Sequence, residues 1–133
     1  MIAFVTAFGA AFVVMAVLDG LWLGLVARDL YRRYLGFLQA DQVNWTAAGI
    51  FYLTYAAGLA FFVVQPGVES GSALSALWRG AAFGFVAYAT YDLTNLATVR
   101  GWPLPITLID LAWGALLSAA VGWVATSLLL RVG

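Results

Sequence analysis

Residues 105–130 run PITLIDLAWGALLSAAVGWVATSLLL, with Asp110 as the only charge. At 1.5 Å per residue a helix of that length extends about 39 Å, more than the ~30 Å hydrocarbon core of a bilayer. So long an apolar run is read as a membrane span. Pro105 suits its first turn, where the N–H it lacks has no helical partner anyway. Gly114, Ser118 and Gly122 recur every four residues, the small-residue spacing that lets helices approach closely.

Three more runs of this kind occur, at about residues 2–27, 45–64 and 77–99. The first is too long for a signal-peptide core and no basic segment precedes it, so it is expected to be retained. Composition agrees: of 133 residues, 65% are apolar and 9% charged, against about 25% charged in an average soluble domain. Four spans nearly exhaust the chain. The expected fold is all-α: one polytopic membrane domain, residues 1–133, built as a compact four-transmembrane-helix bundle.

The breaks have local causes. Pro66-Gly67 is expected to end the second span, with Ser70 or Ser72 capping the third. Trp102-Pro103-Leu104-Pro105 separates the third and fourth. In the longest connection, residues 28–44, Leu30, Tyr31, Tyr34, Leu35 and Leu38 recur at helical spacing among Arg28, Asp29, Arg32 and Arg33. That segment is amphipathic, lying in the headgroup layer or extending the first helix outward. Arg28, Arg32, Arg33 and Arg100 share one side of the membrane, while Arg79 and Arg131 fall on the other. The positive-inside rule then places loops 28–44 and 100–104 in the cytoplasm and both termini outside.

Several chemistries are excluded. The chain has no Cys and no His, so disulfides, thiolate nucleophiles and the usual zinc and haem ligands are missing. Its formal net charge is zero, and without a basic patch nucleic acid is not an expected partner.

Three of the six acids fall inside spans: Asp19, Asp92 and Asp110. Asp19 precedes Arg28 by nine residues, Asp92 precedes Arg100 by eight, and Asp110 follows Pro103 by seven. Each is therefore roughly 10–14 Å in from the same face. Tyr52 and Tyr55 reach a similar level on the second span, and Asn95 adds an amide on the third. A central Asp costs about 2.5–3.5 kcal/mol to insert, so three independent ones would cost ~8–10 kcal/mol. Interhelical hydrogen bonds in membranes return only about 0.6 kcal/mol each on average. Holding helices in register repays such a cost poorly, so the acids are expected to line a polar cavity.

Two of them share a pattern, Asp19-x-x-Trp22 and Asp110-x-x-Trp113, which sets an indole beside the acid on one helix face. Indoles can donate to a carboxylate or hold a cation on the ring face. Gly20 with Gly24 and Gly80 with Gly84 repeat the small-residue spacing, within one bundle or between two copies.

The runs Asp19-x-x-Trp22-Leu23-Gly24, Leu35-Gly36-Phe37-Leu38, Tyr88-Ala89-Thr90-Tyr91-Asp92-Leu93-Thr94-Asn95-Leu96-Ala97-Thr98, Trp102-Pro103-Leu104 and Asp110-x-x-Trp113-Gly114 resemble the bacterial membrane family called domain of unknown function 2177. The resemblance covers nearly the whole chain. It implies four spans in a bacterial cytoplasmic (inner) membrane and brings no activity with it.

Three functions compete. A binding or transport protein would use Asp19, Asp92, Asp110, Asn95, Trp22, Trp113, Tyr52 and Tyr55 for a small polar ligand, a cation or a proton, transport requiring a homodimer. An enzyme acting on lipid or isoprenoid would use the acids as proton donor and acceptor. An assembly subunit would use them only for helix register. Membrane lipids are partners in all three. No cofactor is expected; a hard cation such as Mg²⁺ would suit the oxygens, but these acids lack the close spacing of carboxylates gathered on one helix.

Overall fold

The structure, a computed structural model, describes residues 3–132. Ile2, where the first span is expected to begin, lies outside them. Six α-helices follow one another: α1 (Phe4–Leu21), α2 (Arg28–Leu35), α3 (Trp45–Leu59), α4 (Gln65–Ser70), α5 (Ala73–Thr98) and α6 (Leu104–Val132). No strand occurs among the described residues. Among the described residues, three helical stretches are long and apolar enough to cross a membrane: Phe4–Val26, Trp45–Ser70 and Leu104–Val132. α5 has the length, at 26 residues, but Arg79, Asp92, Asn95 and its threonines make it less apolar.

The expected end of the second span at Pro66 is overturned. The helix runs on to Ser70 through a π-helical turn, Ala60–Val64. Proline interrupts a helix because it lacks an N–H and crowds the carbonyl four residues back. Here the wider turn lies just before it and Pro66 occupies the first positions of α4, where neither defect matters. Gly71 stops the chain instead, at φ 67°, a left-handed conformation open to glycine. Ser72 N–H donates to Gly67 O at 3.0 Å, closing the helix end. Ser72 is the cap of α5, its Oγ accepting from Ser75 N–H at 3.0 Å.

A second π-helical turn, Trp22–Val26, joins α1 to α2, and Asn44 caps α3 by accepting from Ala47 N–H at 3.0 Å. The core lies among α1, α3, α5 and α6, around Met15, Leu59, Val63, Leu117 and Val121. α6 packs along α5 and against α1, and α1 also packs on α3.

Glycine geometry sets the closest contact. A Cβ on Gly80 would overlap the backbone of Ser118, one on Gly84 the backbone of Gly114, and one on Gly122 the backbone of Ala76. The small-residue rows of α5 and α6 therefore mesh within one chain. Gly20 and Gly24 meet nothing within 4 Å.

The buried faces decide where the acids go. On α1 the buried residues are Ala7, Ala11, Met15 and Asp19, spaced by four. On α5 they are Ala76, Gly80, Gly84 and Asp92, with Tyr88 half-buried between the last two. On α6 Asp110 falls within the buried series Thr107, Asp110, Gly114, Leu117. Each acid extends the stripe that packs its helix, so all three point inward.

Candidate functional site

Asp19 is 8% exposed and Asp110 6%. Asp19 is held by two donors, Tyr52 OH to Oδ2 at 2.8 Å and Trp113 Nε1 to Oδ1 at 3.3 Å. These bonds tie α1 to α3 and α6. Asp110 Oδ1 accepts from Tyr31 OH, and Trp22 Nε1 reaches the same hydroxyl at 3.5 Å. Trp22 and Trp113 stack with centroids 4.5 Å apart and planes 13° from parallel. One chain of contacts thus runs Asp19, Trp113, Trp22, Tyr31, Asp110. The repeated Asp-x-x-Trp pattern does a shared job: each indole lies on the other, and the two reach Asp19 and Tyr31.

Tyr31 brings α2 back onto the bundle end. Burial first, and then the bond donated to Asp110, push its hydroxyl pKa above the ordinary tyrosine range, so it stays a donor. At the neighbouring end of α6, Trp102 Nε1 donates to Thr107 Oγ1 at 3.1 Å, and that hydroxyl donates to Pro103 O at 3.2 Å.

Asp92 differs from both. It is fully buried, no hydroxyl, amide or indole donor reaches either carboxyl oxygen, and the group that acts on it, by hydrogen bonding and by charge, is the carboxyl of Asp110. A buried polar group without a partner costs about 1–3 kcal/mol.

Above the acids opens a cavity of about 690 Å³, within the range of small-molecule sites. Asp19, Asp110, Trp22, Trp113 and Tyr55 line it, together with Leu23, Tyr31, Leu35, Gln39, Phe51, Ala87, Tyr88 and Tyr91. No lining residue is basic. Tyr55 is fixed by a 2.7 Å bond with Ser118 Oγ, and its ring meets Tyr88 edge-on at 6.1 Å.

Five of the eight residues singled out in the sequence therefore share one cavity. Tyr52 stands behind Asp19, and Asp92 behind Asp110. Asn95 is not in the lining; it is half-buried beside Tyr91, one turn earlier on α5. Among the described residues no three acidic groups come close enough to hold a metal ion. Tyr31, Tyr88 and Tyr91 are additions. Tyr31 had a signal, a hydroxyl on the apolar face of an amphipathic segment, and Tyr88 another, one turn before Asp92 on the same helix face.

An all-helical membrane protein with an acid-lined, aromatic-walled cavity is the class this geometry defines. The chain belongs to the family described as predicted membrane protein (DUF2177), whose model matches residues 4–127. No curated protein and no solved structure matches it.

Proposed function

We propose that this is a four-span protein of the bacterial cytoplasmic membrane whose carboxylates bind a positively charged or proton-donating group. In this reading α5 is the fourth span, loops 28–44 and 100–104 face the cytoplasm, and both termini face outward. The observation that carries it is the cavity itself: two nearly buried carboxylates in its wall, a third fully buried behind them, and no basic side chain in the lining to neutralise them. Carboxyl groups so placed in a membrane are expensive and mark ion or ligand sites. Aromatic rings add favourable faces for a cation. Carriage of the group across the bilayer requires a second copy, since one four-helix unit is too slim to enclose a full pathway.

The test is a titration of purified protein in phosphatidylcholine nanodiscs with tetramethylammonium chloride, followed by tryptophan emission. A saturable change, lost in Asp19→Asn and in Asp110→Asn, is expected. A response that never saturates and is identical in all three proteins overturns the reading.

Asp92 against Asp110 favours a second reading, proton transfer to and from a membrane lipid. A deletion strain would then accumulate a lipid precursor, and an unchanged lipid profile dismisses it.

A further inference from the structure

Resting on that binding site, we infer that its ligand is a single-chain cationic amphiphile, an alkylammonium whose tail enters sideways from the lipid between α3 and α5. The side walls of the bundle are unequal. α5 is sealed to α6 by the glycine contacts, and α1 packs on both α3 and α6. α3 meets α5 through two rings, Phe83, which seats on Gly58 and lies edge-on to Tyr55 at 5.3 Å, and Tyr88, edge-on to Tyr55 at 6.1 Å. One turn before Tyr55, α3 presents Phe51, and one turn beyond Tyr88, α5 presents Tyr91; both line the cavity and are 49% and 59% exposed. The gap beyond the ring contacts is therefore walled by half-exposed aromatic residues at the depth of the acids. Its end is covered by α2, through Tyr31 and Leu35.

The chemistry of the two ends selects the ligand. Asp19 and Asp110 stand in the wall, with Asp92 fully buried behind and no arginine among the lining residues. A phosphate head would meet like charge there with no cation to offset it, whereas an ammonium meets carboxylates and aromatic rings. The apolar side opening suits an alkyl tail that passes from bilayer to cavity without crossing water. A ligand from the aqueous phase would gain nothing from that opening.

The experiment compares three probes on the wild-type protein in phosphatidylcholine nanodiscs: tetramethylammonium, dodecyltrimethylammonium and monododecyl phosphate, read by the rise in unfolding temperature. Dodecyltrimethylammonium is expected to half-saturate at about hundredfold lower total concentration than tetramethylammonium, because its tail concentrates it in the bilayer from which the cavity is entered. Its effect should vanish in Asp110→Asn, and the phosphate should have none. Equal half-saturation by the two ammonium probes overturns the sideways entry and leaves the carboxylate site standing. Stabilisation by the phosphate matching that of its ammonium counterpart overturns the cationic head. If neither ammonium acts, the inference and the site it rests on both fall.

Discussion

Replacing Asp92 by Asn should make the protein more stable. The carboxyl is fully buried and faces another acid, with no hydroxyl, amide or indole donor on either oxygen, so the native state carries a penalty of about 1–3 kcal/mol. Asn has nearly the same shape and brings an N–H donor beside Asp110, the group that acts on Asp92. It also removes the cost of inserting an acid, about 2.5–3.5 kcal/mol at the centre of a span. The expected gain is therefore about 1–3 kcal/mol. Asp19→Leu is the contrast. It strands Tyr52 OH and Trp113 Nε1, and at about 0.6 kcal/mol per interhelical bond the loss should be ~1 kcal/mol or more. Reversible unfolding in bicelles, by steric trapping or a denaturing detergent, measures both. Opposite signs are the prediction. A loss of about 1 kcal/mol or more in Asp92→Asn would show that Asp92 serves the fold, refuting the reasoning.

The helix contact and the returning segment give further expectations. Gly84→Val must push α6 away from α5, because even a Cβ overlaps the Gly114 backbone; a loss above ~2 kcal/mol is expected in thermal unfolding. Gly20→Ala and Gly24→Ala, with open space around both positions, should stay within about 0.5 kcal/mol of wild type. Tyr31→Phe removes the donor to Asp110 and should speed amide exchange severalfold across residues 28–39, leaving the spans protected. The sign of the pH effect follows from the raised Tyr31 pKa. Its stabilisation is complete below about 10, the unfolded tyrosine value, and is lost as pH rises through the higher folded value.

Much of the site was legible because the bilayer prices residues by depth. Arg28, Arg100 and Pro103 mark one face, and counting from them places Asp19, Asp92 and Asp110 at one level before any contact is known. The pairing of Asp with Trp was legible too, through its spacing, but its purpose was not: stacking of Trp22 on Trp113 joins residues 91 positions apart in the chain. Tyr31 was hidden for a related reason. Its helical period announces an amphipathic helix, and period alone does not say that the helix folds back onto α6. Asn95 sits at the right depth yet stands beside Tyr91 outside the cavity lining, because depth fixes the level of a residue and not its direction. Pro66 misled because sequence shows the missing donor and not the π-helical turn that accommodates it. The cavity is lined from α1, α2, α3, α5 and α6 together, an arrangement no local pattern encodes.

Convergence of acids from separate helices on one accessible pocket is most directly tested by cross-linking. The chain has no native cysteine, so Asp19→Cys and Asp110→Cys can be introduced together and treated with a flexible bis-thiosulfonate long enough to span the cavity. Rapid intramolecular bridging is the expected result, and little bridging when Asp19→Cys is paired with Leu116→Cys, whose position is 66% exposed on the outside of α6. Bridging of the first pair no faster than the second would contradict a shared pocket.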